Sequence, residues 1–166
     1  MVSIRRATPA DLKLLQKLET EFCRDERAAV ISANRGFDHY VQPSPLRSRT
    51  VARLLRKMLR STNARVFIAE QNGKPIAFCT ASIEKGGQMY LPMRFGLIGW
   101  VFVKKPYRGK RISSQLMAEM LHWFAKRKIE QISLSVLAGN QPARAIWKKW
   151  GFHDFVIFAW KLNTRT

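Results

Sequence analysis

Cysteine is scarce in this sequence. Cys23 and Cys79 are the whole complement, too few for a disulfide framework. Neither stands in a metal-ligand spacing, so no metal site is read from the chain. Both fall in segments that read as apolar faces. A buried, reduced thiol is expected at each, which fits a cytoplasmic compartment. Long apolar runs are missing too. Nothing approaches the ~20 residues of a membrane span, and Met1-Val2-Ser3-Ile4-Arg5-Arg6 lacks an apolar signal core. There is no linker, repeat or low-complexity tract, and 166 residues suit one domain spanning 1–166.

Acidic residues are the remaining shortage. Eleven Asp and Glu face 30 Lys and Arg, leaving a net charge of +19. Such a field attracts polyanions and speeds their encounter, but it does not specify a fold. Coenzyme A, nucleic acid, an acidic protein and an anionic membrane surface are all compatible partners. The plain alternative is a basic surface that keeps the protein soluble.

What is present reads as alternating elements. Residues 2–6 form a short strand. Thr8-Pro9-Ala10-Asp11 opens a helix, with Thr8 as N-cap and Pro9 in the first turn. Leu12, Leu15, Leu18 and Phe22 follow at helical spacing. A loop is expected over about 27–44. A second helix spans 45–61, where Val51, Leu54, Leu55, Met58 and Leu59 form the apolar stripe. Strands at 65–70 and 75–82 flank Asn72-Gly73, a hairpin signal. A loop with Gly86-Gly87 precedes a strand at 94–103. A helix over 111–127, a strand over 131–137, a short helix over 140–150 and a final strand over 152–162 complete the order βααβββαβαβ. That order predicts an α/β fold with a mixed central sheet flanked by helices.

The chemistry concentrates where the strand 94–103 ends. Lys104-Lys105-Pro106-Tyr107-Arg108-Gly109-Lys110-Arg111 carries five cations in eight residues. It leads into a helix, whose N-terminus offers unpaired N–H groups and a positive dipole end. Strand, basic glycine-containing loop and helix together suit a pyrophosphate. The plain alternative is an ordinary basic turn.

This stretch resembles the pyrophosphate loop of GNAT N-acetyltransferases, Arg/Gln-x-x-Gly-x-Gly/Ala. Arg108 matches the first position. Arg111 stands where Gly is usual, and Ser113 where Gly or Ala is usual. Downstream, Asn140-x-x-Ala143-x-x-x-Trp147-x-x-x-Gly151-Phe152 resembles the family's Asn-x-x-Ala-x-x-x-Tyr-x-x-x-Gly-Phe segment. The resemblance covers the whole chain. It implies a single-domain GNAT-type acyl-CoA N-acyltransferase fold and acetyl-CoA as acyl donor. It also implies a cofactor site made by Val101, Phe102 and Val103 through their backbone, by the loop residues Arg108, Gly109, Lys110, Arg111, Ile112 and Ser113, and by Asn140, Ala143 and Trp147. The strand ending at Val103 and the strand at 131–137 would splay to receive the pantetheine arm. Relatives of this kind often dimerise.

The family reaction is attack of an amine on a thioester. A backbone N–H near Val101–Val103 would stabilise the oxyanion, and a carboxylate would act as base. The strand 94–103 has no acidic residue. Glu84 on the preceding strand is the first candidate, with Glu21, Glu26 and His39 as others. Trp147 replaces the usual Tyr acid. Its indole N–H only donates, so it offers the leaving sulfur a hydrogen bond and no proton. Tyr90 and Tyr107 are further phenols. Arg49, Arg53, Arg56 and Arg60 share one face of the second helix and are assigned to the acceptor side, facing an anionic acceptor or carrier such as nucleic acid or an acidic protein. A rival reading is a GNAT-fold binding module that has lost catalysis.

Overall fold

Asn72 and Gly73 both take positive φ, 51° and 72°, the pair of left-handed positions that a tight hairpin turn needs. The turn joins β2 (Ala64–Gln71) to β3 (Lys74–Lys85) in antiparallel register. The computed structural model describes residues 1–86 and 93–159. Over these residues β1 (Val2–Arg6) lies outside β2, and β4 (Arg94–Val103) lies on the other side of β3. These four strands are antiparallel neighbours. β5 (Ile132–Leu134) then pairs parallel to β4, giving a five-stranded mixed sheet in the order β1-β2-β3-β4-β5. Tyr90 and Gly87 lie outside the described residues.

Each face of the sheet is covered by different helices. Side chains alternate along a strand, so Cys79 and Ala81 face one way and Phe78 the other. On the first face, Cys79, Ala81 and Ile98 pack with Leu116, Met120 and Phe124 of α3 (Ile112–Lys126). On the second, Phe78 and Phe102 pack with Leu15 and Leu18 of α1 (Leu12–Ala33) and with Val51 and Leu55 of α2 (Arg47–Arg60). α4 (Gln141–Lys149) contributes Trp147 to the rim of the first cluster. The apolar stripe read for α2 is the buried one: Val51, Leu55 and Leu59 are buried, while Leu54 is exposed. Cys79 is fully buried and Cys23 partly so, and both are free thiols.

Three expectations are corrected. α1 runs on to Ala33, so the loop expected over 27–44 is helical over its first seven residues and holds a 3-10 turn at Arg35–Tyr40. Ala28, Ala29 and Ala33 favour helix, and Val30 is buried. The break comes at Asn34, whose side chain accepts the Gly36 N–H at 2.8 Å. Next, β5 stops at Leu134 although a strand over 131–137 was expected, because its partner β4 diverges beyond Ile98. Finally, 152–159 carry no strand ladder, and 160–162 lie outside the described residues. Phe152 packs beside Trp147, with ring centroids 5.7 Å apart, and Asp154 is bound by Arg144 at 2.9 Å. These contacts hold the start of the segment against α4.

The helix start at Thr8 is as read, with one refinement. Pro9–Asp11 form a 3-10 turn before α1. The Asp11 carboxylate reaches back to accept from the Thr8 N–H at 2.8 Å and its hydroxyl at 3.0 Å. Arg5 adds two donors to Asp11 and also binds Glu70, tying α1 to β1 and β2.

Candidate functional site

The site begins with an irregularity in β4. Cys79 pairs with Val101, but Ala81 pairs with Ile98, so β4 carries an extra residue opposite Thr80. Such a bulge bends the strand that bears it. Thr80 is buried, and its hydroxyl accepts the Trp100 N–H at 2.8 Å. Gly99 makes room for it: a Cβ there would lie 2.5 Å from Thr80 Oγ1. Sequence reasoning missed both residues. A glycine inside an apolar strand was the available signal for a close approach.

Beyond the bulge, β4 leaves β5. The parallel ladder covers only Gly96, Leu97 and Ile98. Trp100 donates to Thr80 and Lys104 to Ile76, both toward β3. Peptide groups alternate along a strand, so the amides of Val101 and Val103 turn toward the opening and that of Phe102 toward β3. The Val103 carbonyl accepts from Arg108 Nε at 2.9 Å.

The basic loop follows. Lys105–Tyr107 form a 3-10 turn, Gly109 takes φ 77°, and Arg111 takes φ 59°. Arg111 thus holds a left-handed conformation that costs a non-glycine residue roughly 1–2 kcal/mol. That conformation explains why Gly is usual at this position. The first helical backbone bond runs from the Gln115 N–H to the Arg111 carbonyl at 3.1 Å. The N–H groups of Gly109, Lys110, Arg111, Ile112, Ser113 and Ser114 have no acceptor among the described residues. They form a run of donors at the positive end of α3.

The loop's cations divide into two sets. Arg108 binds Asp25 of α1 at 2.7 Å, Lys105 approaches Asp25 at 3.6 Å, and Lys104 approaches Glu21 at 3.7 Å. Three cations therefore tie the loop to α1. Lys110 stands over the Tyr107 ring at 5.4 Å, and neither it nor Arg111 has an ion pair among the described residues. Both are exposed and free to meet an anion.

α4 starts at Asn140, whose Oδ1 accepts the Ala143 N–H at 3.3 Å. Trp147 stacks edge-on with Trp150 at 5.4 Å and with Phe152 at 5.7 Å. Gly151, at φ 82°, ends the helix, and the Phe152 N–H returns to the Trp147 carbonyl at 3.1 Å. The motif positions are thus brought into one compact turn.

The carboxylates named as bases are scattered. Glu84 accepts from the Ser82 hydroxyl at 2.6 Å and pairs across the ladder with Phe95. Phe95 is six residues from Val101, about 20 Å along the strand. Glu21 faces Lys104. His39 is exposed in the 3-10 turn at Arg35–Tyr40. Glu26 is partly buried and near a polar cluster of α1 and α2, in which Glu19 is bound by Arg47 and by the Cys23 thiol. Burial and the neighbouring Glu19 push the Cys23 thiol up to about 12, so it is protonated at neutral pH. Burial also raises the Glu26 carboxyl, with Arg47 opposing and Glu19 reinforcing the shift.

Arg49, Arg53, Arg56 and Arg60 are all exposed and lack ion pairs among the described residues. They lie opposite Val51, Leu55 and Leu59, the residues that pack on the sheet. Arg56 and Arg60 flank a shallow groove with Pro9, Leu12 and Leu59.

A strand that opens at a bulge, a donor-lined loop and a capped helix beside it define an acyltransferase-like frame. The profile of the acetyltransferase (GNAT) family matches residues 15–152, and the chain belongs to that family. Solved structures agree on the fold. A predicted acetyltransferase with acetyl-CoA from Clostridium acetobutylicum is 22% identical, with TM-score 0.76, covering 98% of this chain and 96% of that one. Aminoglycoside N-acetyltransferase AAC(6')-Iy, in complex with CoA, is 18% identical, with TM-score 0.72 and coverages of 97% and 95%. AAC(6')-Ih from Acinetobacter baumannii is 15% identical, with TM-score 0.72 and coverages of 99% and 100%. No curated protein matches the sequence. Among the described residues no helix is long and apolar enough to cross a membrane.

Proposed function

We propose that the protein transfers an acetyl group from acetyl-CoA to a primary amine by direct attack on the thioester. The observation that carries this reading is the run of six N–H groups at 109–114 without an acceptor among the described residues, beside the β4 opening. Such donors suit a pyrophosphate. The amides of Val101 and Val103 would bind the pantetheine arm, and one would stabilise the oxyanion. Lys110 and Arg111 would neutralise phosphate charge. Arg108 would act indirectly, holding the loop to α1 through Asp25. Ile112 and Ser113 contribute backbone, and Asn140, Ala143 and Trp147 would border the arm from α4. The α2 arginines would attract the anionic body of an acceptor or its carrier, nucleic acid or acidic protein, before its amine reaches the opening.

The second reading, a binding module without catalysis, is favoured by Trp147, whose ring is stacked between Trp150 and Phe152. A calorimetric titration of nucleic-acid-free protein with acetyl-CoA separates the two. Saturable one-to-one binding is expected, weakened about tenfold in Arg108→Ala by loss of a partly exposed charged tie. Absence of binding at millimolar acetyl-CoA would leave the binding-module reading.

A further inference from the structure

We propose that Glu26 is the general base on the acceptor side, a role that rests on the acetyltransferase reading above. α1 crosses the second face of the sheet from one side to the other. Leu15 and Leu18 pack with Ile68 of β2 and Phe78 of β3. One turn on, the Phe22 ring meets that of Phe102 on β4, with centroids 6.3 Å apart. Two turns beyond Phe22, Val30 borders Gly139 in the turn before α4, where a Cβ on Gly139 would lie 3.1 Å from Val30 Cγ1. Residues 22, 26 and 30 fall on one side of a helix. Glu26 therefore lies along α1 between the contact with β4 and the contact with the turn before α4, on the stretch of helix that passes the end where β4 parts from β5, with Arg47 and Glu19 as its charged neighbours.

The chemistry of Glu26 suits that place. Glu19 and Arg47 satisfy each other. Asp25 and Glu21 are taken by cations of the basic loop, and Asp38 by Arg27. Glu26 has no ion pair or hydrogen bond among the described residues. It is partly buried but keeps some exposure. Burial raises its carboxyl and makes it a better proton acceptor. It takes one proton from the acceptor ammonium. The freed nitrogen lone pair attacks the thioester carbon, the C–S bond breaks, and the sulfur leaves as thiolate. The second nitrogen proton goes to that thiolate through solvent, yielding amide, free thiol and protonated Glu26, which returns its proton to water. The reaction class is thus acetylation of a primary amine that arrives as an ammonium ion. A local carboxylate for the head and the outward arginines of α2 for the body would suit an amine carried on an anionic molecule.

The test needs no knowledge of the acceptor. CoA alkylated on sulfur with a 2-aminoethyl group places an ammonium where the attacking amine would stand. Calorimetry compares it with unmodified CoA on wild type, Glu26→Gln and Glu26→Asp. Wild type is expected to prefer the aminoethyl ligand by at least about tenfold, a charged hydrogen bond's worth. Glu26→Gln should lose that preference and keep wild-type CoA affinity. No preference in wild type, or one that survives in Glu26→Gln, overturns the role of Glu26 and leaves the acetyltransferase reading standing. Loss of CoA affinity in both variants shows that Glu26 serves the donor site or the fold, which also overturns it. If wild type binds neither ligand, the acetyltransferase reading fails and the inference with it.

Discussion

The two faces of the sheet are built from the same strands and serve different ends. The α3 face is apolar throughout its core: Cys79, Ile98, Leu116, Met120 and Phe124 are sealed together. Both buried polar residues among those described, Glu19 and Thr80, belong to the α1/α2 side. Glu26, Cys23 and Arg47 stand there too. Four of the eleven acidic residues of this very basic chain fall within residues 19–26 of α1. An apolar face can be optimised for packing alone. A face that keeps carboxylates must accept their desolvation, which is tolerable only where cations or hydrogen bonds compensate. The lesson is that apolar packing and buried polar groups are divided between opposite sides of one sheet, and the bulged β4 belongs to both.

That division can be broken from either side. The largest effect is expected on the apolar face. Phe124 is fully buried and fills the space left by Gly96, where a Cβ would lie 2.6 Å from its ring. Phe124→Ala should cost about 3–5 kcal/mol by chemical denaturation. A loss under 1 kcal/mol would show that the α3 face is not the scaffold. Thr80→Val keeps the volume and removes the acceptor of the Trp100 N–H. It should cost about 1–3 kcal/mol, with acetyl-CoA affinity falling beyond what the lost stability explains, since the bulge sets the β4 opening. Unchanged affinity would detach the bulge from the donor site. The smallest effect is electrostatic. Arg5 holds the Asp11 carboxyl down at about 2, below its ordinary 3.8. A depressed carboxyl stabilises the fold above its unfolded value and stops doing so as pH falls through the folded one. Stability should therefore drop by about 1 kcal/mol between pH 4 and 2, an amount reduced by water at the half-exposed Arg5. In Asp11→Asn that part of the pH dependence should vanish.

Much of the fold was legible because it follows local rules. Asn72-Gly73 announces a hairpin by its backbone preference, and Thr8-Pro9 opens the 3-10 turn that leads into α1. The stripe of α2 is buried as its spacing demands. The loop at 104–111 showed its charge and its glycine in advance. Other features were hidden because they depend on partners distant in sequence. Arg108 is drawn to Asp25, 83 positions away. Thr80 meets Gly99 only when β3 and β4 align. The helical run from Arg27 to Ala33 was obscured by the Asn, Gly and Pro residues that follow it.

Residue by residue, then, the sequence determined the periodicities, the turn, the helix starts and the basic loop, because these depend on φ/ψ preference and on side-chain spacing along a few neighbouring residues. Tertiary structure alone decided where β4 parts from β5, which cations of the loop stay free, and which carboxylates of α1 find a cation. Those outcomes rest on contacts between distant segments, and the free energy of such a contact is set by burial and by the partner it finds, neither of which is written at either end of the pair.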